Sequence, residues 1–386
     1  MKKWLVFFLF LAGISLFFSG CLSPTIPSPS TKASDWTLLI FMNGDNDLEN
    51  DAWQDLNSME MVGSTERVNI IVQMDTPKTG AYRYRVTQDE DPSLVTSPIL
   101  ESLGRVDMGD YRSLIDFVRF GVQNYPASRY ALILWNHGGG FRKRDISFDF
   151  STGHAITIPQ LAYALSQTKS IIGKNLDLLG MDACLMAMVE VAYEVRNYAN
   201  VMVASEEFVP GEGWDYAGFL QILVHSPSMG ERELARAIID TYVDSYLRVG
   251  VTQSAIDLKA VATLAQSLDT LAQAVLGDSR TPPNLYLYLG DQALYFGDYD
   301  FVDLGSLLGL WHGWPTIQDL TVREKAGLAR DALAQTVFYE RNNLGKSLGG
   351  LSVYFPYQSY DPKYDTLSFA SSTSWDDMLK YLFRYR

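Results

Sequence analysis

The stretch Leu176-Asp177-Leu178-Leu179-Gly180-Met181-Asp182-Ala183-Cys184-Leu185-Met186-Ala187 decides how this chain folds. An apolar run with one Asp inside it stops at Gly180, and a cysteine follows within four residues. Met186 to Tyr198 then reads as a helix. A short apolar run of this kind is a strand buried on both faces, as in a parallel sheet. It delivers Cys184 to the strand's carboxyl end, beside a helix N-terminus, on the rim where open α/β sheets bind ligands. A helix N-terminus favours the thiolate, the reactive form of Cys. On this stretch alone Cys184 also reads as one more small buried hydrophobe.

The same pattern recurs on both sides. Strands are predicted at Thr37–Met42, Val68–Asp75, Arg129–Trp135 and Val201–Ser205, and Tyr82–Val86 alternates as part of a hairpin. Helices are predicted from the Asn43–Asp47 turn to about Met61, over Tyr111–Asn124, and from Pro159 to Gln167. Strands alternating with helices imply a mostly parallel sheet flanked by helices. Beyond residue 214 the pattern turns helical, at 214–224, 231–249, 258–276 and 321–338, with strands at Thr252–Leu258 and Ser347–Phe355. The acids Asp45, Asp47, Glu49 and Asp51 suit a helix N-terminus, with binding of a cation such as calcium as the rival reading. No acidic loop has the EF-hand spacing, so calcium dependence stays open.

Ahead of this body, residues 1–20 begin with Lys2-Lys3, run apolar from Trp4 to Phe18, and end in Phe18-Ser19-Gly20 before Cys21. That is a secretory signal resembling a bacterial lipobox, in which Cys21 would carry lipid and anchor the chain to the membrane in the cell envelope. Residues 21–34 are rich in Pro, Ser and Thr and read as an extended tether. The folded body is expected over 35–386, with the core sheet in 35–213 and a helical elaboration and final strand in 214–386.

Of 386 residues 47% are hydrophobic, enough for a sizeable core, and the net charge is −14. Such an acidic chain is a poor partner for nucleic acid, whose phosphates need basic patches. Two cysteines cannot form a disulfide scaffold, and the four histidines, His137, His154, His225 and His312, show no metal-ligand spacing.

One further strand end carries chemistry. The Arg129–Trp135 strand ends at Asn136-His137-Gly138-Gly139-Gly140, 47 residues before Cys184. Cysteine peptidases of the caspase type place their His about 50 residues before the Cys. A thiolate attacks the amide carbonyl, and a His moves protons, to the leaving amine in particular. Backbone N–H groups of Gly138 and Cys184 are the natural donors to the oxyanion. An esterase reading of the glycine run requires a G-x-S-x-G elbow, which the chain lacks. A phosphate loop requires Gly-Lys-Ser/Thr after the run, also missing there.

The segments Phe41–Glu49, Leu134–Gly140, Met181–Met186, Ala204–Glu207, Pro210–Trp214 and Gly350–Pro356 together resemble the clostripain-like cysteine peptidases of the caspase-like clan. The resemblance implies a caspase-like α/β fold and an endopeptidase with His137 and Cys184 as dyad. It further implies cleavage of peptide or protein substrates after Arg or Lys. Asp182 matches the family's pocket acid; Glu212 is the expected second, with Glu207 and Asp215 as fallbacks. The basic run Arg142-Lys143-Arg144 offers a self-cleavage site after Lys143 or Arg144. Two alternatives stand beside this reading: a binding lipoprotein that has lost activity, and a cysteine peptidase of different primary specificity.

Overall fold

Successive side chains of a strand face opposite ways, and the central strands here are apolar on both faces. Strand β1 (Ser34–Asn43) sends Leu38, Ile40 and Met42 into one core and Leu39 and Phe41 into another. The structure, a computed structural model, describes residues 33–142 and 145–386. The signal and lipidation readings, Cys21 included, and the tether as far as residue 32 therefore lie outside the described residues, as do Lys143 and Arg144; Ser34, read as the end of the tether, already belongs to β1.

After β1 come α1 (Glu49–Glu60), β2 (Val68–Asp75), β3 (Ala81–Arg85), β4 (Ile99–Gly104), α2 (Tyr111–Asn124) and β5 (Ala127–Trp135). Next are α3 (Ile158–Ile172), β6 (Leu176–Asp182), α4 (Val189–Val195), β7 (Ala199–Ala204), α5 (Tyr216–His225) and α6 (Glu231–Ser245). Then follow β8 (Thr252–Asp257), α7 (Val261–Gly277), α8 (Pro283–Asp291), β9 (Tyr295–Phe296), β10 (Asp298–Asp303) and α9 (Leu304–Gly313). The chain closes with α10 (Leu320–Thr336), β11 (Val337–Asn342), β12 (Ser352–Tyr354), α11 (Ser368–Ser372) and α12 (Trp375–Leu382).

The main sheet has the order β11-β8-β7-β6-β5-β1-β2-β3-β4. Strands β7, β6, β5, β1 and β2 run parallel, and the outer pairs at both edges are antiparallel. Helices α1, α5 and α6 cover one face; α2, α3, α4 and α7 cover the other. Local chemistry sets the helix ends. Asp110 caps α2 by accepting from the Arg112 N–H, and Thr157 with Gln160 forms a capping box on α3, which ends at Gly173 with φ +82°. Among the described residues, no helix is long and apolar enough to cross a membrane.

Two readings are corrected. The helix after Cys184 starts only at Val189, because Leu185 takes a left-handed φ of +60° and breaks the chain's path. The thiol therefore does not sit at a helix N-terminus. Beyond residue 214 the strands expected at Thr252–Leu258 and Ser347–Phe355 are present as β8 and β12, but the region is less helical than expected: β11 adds a further strand to the main sheet, and β10 and β9 join β12 in a small antiparallel sheet. β11 and β9 escape a sequence reading because β11 is half-buried throughout and β9 is two residues long. The small sheet packs beside the Cys184 turn, where the Ser352 N–H donates to the Ala187 carbonyl at 2.8 Å.

Candidate active site

The parallel register puts three strand ends in a row, with Met42 opposite Trp135 and Trp135 opposite Asp182. One residue past β5 and β6 on this rim the chain turns, so His137 and Cys184 project from neighbouring strands. Both line one cavity of about 260 Å³, together with Leu48, Asp182, Phe208 and Gly213. Gly138 is the hinge between the two turns. A Cβ there would stand 2.4 Å from the Cys184 carbonyl oxygen, so only glycine lets the backbones approach this closely.

Burial pushes the Cys184 thiol above its ordinary value; the N–H groups of Val209 and Gly138 pull it back in part, and the charge of Asp182 pushes it further up. The Val209 N–H donates to Sγ at 3.3 Å. His137 faces the other way: its Nε2 is 2.7 Å from Asp47 Oδ1, and its ring lies near-parallel to Phe150 at 6.4 Å. Among the described residues no hydrogen bond joins the imidazole to the thiol. The arrangement holds a protonated thiol across a cavity from an oriented His.

The cavity floor is acidic. Asp182 is buried, its Oδ2 accepting from the Trp214 N–H and the Tyr216 hydroxyl, each at 3.1 Å. Its Oδ1 has no hydrogen-bond partner among the described residues. Burial raises this carboxyl to about 7, against which the Trp214 and Tyr216 donors act. Asp55 on α1 lies beside it, bonded to Trp135 Nε1 at 2.7 Å. Burial first, and then the Asp182 charge, raise Asp55 well above the carboxylate range. Gly213, at φ +56°, fits between the two: a Cβ would meet Asp182 Oδ2 at 2.8 Å and Asp55 Oδ2 at 3.1 Å. A cationic side chain entering here would meet two buried carboxyls with which, among the described residues, no basic side chain forms an ion pair.

The acids named from sequence separate. Glu212 is exposed, outside the cavity wall, and acts on Asp51 and Asp55 only through its charge. The Glu207 carboxylate accepts from the Phe208 N–H, and Asp215 caps α5 through the Gly218 N–H. Asp55 was missed, though a signal existed. Ala52, Asp55, Leu56 and Met59 share one face of α1, so an acid stands within an apolar stripe. The β1–α1 acids also divide: Glu49 pairs with Lys78 at the surface, Asp47 holds His137, and Asp45 points into a buried carboxylate group with Asp75 and Asp149.

Comparison with known proteins agrees with this architecture. The clostripain family model (peptidase C11) matches residues 40–382. Clostripain of Hathewaya histolytica is 28% identical over 233 residues, which are 50% of this chain and 43% of that protein, so the chain spans less than half the length of this relative. An inactive zymogen C11 protease from Parabacteroides distasonis superposes with a TM-score of 0.69 at 18% identity, covering 89% of this chain and 99% of that one. A secreted C11 cysteine protease from Bacteroides thetaiotaomicron, in complex with an irreversible peptide inhibitor, gives 0.67 at 20% identity over 90% and 99%. With the family model matched across nearly the whole described body, this chain belongs to the clostripain family of cysteine peptidases, and its fold is theirs.

Proposed function

We propose that this chain is a cysteine endopeptidase that hydrolyses peptide bonds after Arg or Lys. The observation that carries the proposal is the shared cavity: thiol, imidazole and the buried Asp182 carboxyl line it, and the buried Asp55 carboxyl stands behind Asp182. A substrate's basic side chain would sit on Asp182 and Asp55 and place its carbonyl over Cys184. His137, oriented by Asp47, takes the thiol proton, and Sγ bonds to the carbonyl carbon. The Gly138 and Cys184 N–H groups receive the oxyanion. The amine leaves with the proton held by His137, and water then cleaves the acyl-enzyme. Glu212 adds long-range negative charge at the mouth rather than a direct contact. The peptide inhibitor held by the Bacteroides relative supports a peptide substrate.

The rival reading, a caspase-like protein without activity, draws on the resting geometry, in which His137 bonds Asp47 and the thiol is protonated. Fluorogenic peptides ending in Arg, Lys, Asp or Leu decide among the readings, with Cys184→Ala beside wild type. Cleavage after Arg and Lys, lost in the variant, is expected. Cleavage only after Asp or Leu would sink the pocket assignment, and none at all would favour the inactive reading. The signal pattern further supports lipid attachment at Cys21 and an extracytoplasmic, membrane-anchored location; a fatty-acid label should enter wild type and not Cys21→Ala. Self-cleavage after Lys143 or Arg144 would appear as two fragments in wild type and one chain in Cys184→Ala.

A further inference from the structure

We propose, on the reading that hydrolysis takes place at the Cys184 cavity, that a row of exposed aromatic side chains beside it holds a second stretch of the substrate chain. That stretch is uncharged, bears aromatic, aliphatic or proline side chains, and lies away from the bond that is cut. The row begins at Phe208, which lines the cavity and is 53% exposed. The β9–β10 turn packs directly on it: Gly297 takes a φ of +53°, and a Cβ there would stand 2.9 Å from both Phe208 Cζ and Leu185 Cδ2. On either side of this turn, the Tyr295 and Tyr299 rings pack with centroids 4.4 Å apart, and Tyr299 meets Tyr357 at 6.0 Å. The three tyrosines are 45%, 61% and 47% exposed. Tyr299 and Tyr357 then line an open cleft of about 900 Å³.

The support beneath the row is tied to the loop that carries the imidazole. Arg142, five residues past His137, donates to Asp298 at 2.7 Å and to Asp300, and its guanidinium lies over the Phe301 ring. Asp300 also accepts from the Tyr357 N–H at 2.5 Å, so one carboxylate joins both tyrosine segments to that loop. The ionic groups of the cleft already hold one another: Arg142 pairs with Asp298 and Asp300, Lys363 pairs with Asp145, and Asp361 accepts from the Lys363 N–H. What remains for a ligand is mainly ring surface. A single exposed aromatic needs no explanation, but a contiguous row marks a contact surface. Tyr and Phe supply large contact area with few rotatable bonds, which is why they gather at recognition sites.

Continuity identifies the occupant. Phe208 belongs both to the cavity and to the row, so a polypeptide lying across Cys184 passes directly onto the tyrosines. An extended chain advances about 3.3 Å per residue, so the tyrosines take roughly three residues of it. Contact this far from the reacting carbonyl is made alike in the ground and transition states, and it therefore acts on KM more than on kcat.

Two peptides test this, each with one Arg flanked on both sides by about six residues, rich in Phe, Leu and Pro in one and in Gly, Ser and Asn in the other. Binding to the full chain carrying Cys184→Ala is read by fluorescence anisotropy, and cleavage by wild type is read as KM and kcat. The apolar peptide is expected to bind about 10-fold more tightly and to show a correspondingly lower KM. Tyr299→Ala with Tyr357→Ala should erase that preference, and Tyr299→Phe with Tyr357→Phe should keep it, because the rings make the contact. If the preference appears in binding while wild type cuts neither peptide, the peptidase reading fails and the aromatic row stands. Equal binding of the two peptides would overturn the proposal, as would a preference that survives loss of both rings. So would self-association of the wild type that the alanine pair abolishes, without any flank preference, since the row would then join two copies of this chain.

Discussion

Cys184 and Asp182, two residues apart, are both pushed toward their neutral forms by one cause, removal from water. For the thiol this means that alkylation by iodoacetamide in the ligand-free protein should rise with pH through an apparent pKa above that of an ordinary cysteine. A midpoint near neutrality would show that His137 already holds the proton. For Asp182 the sign runs the other way in stability. The folded carboxyl titrates near 7 and the unfolded one near 3.8, so the native state binds the extra proton between them. Stability therefore falls as pH rises across that window. Asp182→Asn removes the dependence, and relative to wild type it should gain on the order of 3 kcal/mol between about pH 4 and pH 8 in denaturant unfolding. The same substitution should lower kcat/KM for Arg peptides about 100-fold or more, because the cation loses a buried partner. An unchanged ratio of Arg to Leu cleavage would remove Asp182 from the pocket.

At the scale of elements, α1 does more than pack. Its apolar stripe buries Ala52, Leu56 and Met59 against the sheet, and Asp55 is carried in with them. A basic ligand drawn to Asp55 and Asp182 would ionise carboxyls that are protonated at rest. Binding of an Arg-terminated peptide inhibitor near pH 6 should therefore release protons, seen as a dependence of binding enthalpy on the buffer's ionisation enthalpy. Binding without release would mean that the cation never reaches the floor. Trp135→Phe, which deletes the N–H donor to Asp55, should cost about 1–3 kcal/mol and raise KM for Arg peptides more than it lowers kcat. The strands β1, β5 and β6 were legible because burial on both faces leaves an unbroken apolar run. β9 and β11 were not, since their partners rather than their composition make them strands.

Across the whole molecule, the main sheet and the small sheet meet at a buried acid. Glu206, just past β7, is fully buried beside Asp303, and no basic side chain among the described residues forms an ion pair with it. Burial and the neighbouring Asp303 charge raise it well above its ordinary value. Asp303 in turn accepts from the N–H groups of Ser306 at 2.6 Å and Gly349 at 2.7 Å. The junction holds its acid as a neutral group, so mild alkali strains it. Glu206→Gln should stabilise the protein by about 1–3 kcal/mol near pH 8 and have little effect near pH 5. Equal stability of the two proteins across this range would show that the acid is relieved some other way.

The sequence by itself determined the alternating α/β order, the two strand ends that carry His137 and Cys184, and the acid two residues before the thiol. Those features are written locally, in apolar runs, turn residues and short spacings. Tertiary structure alone decided what each acid does. Asp45, Asp47 and Asp55 lie within eleven residues, yet the first joins a buried carboxylate group, the second holds the histidine, and the third is buried beside Asp182. Only packing sets which carboxylate meets water, another charge or a ring nitrogen, because that depends on residues a hundred positions away. The same holds for the thiol: Leu185's turn and the Val209 N–H, not a helix end, define its surroundings.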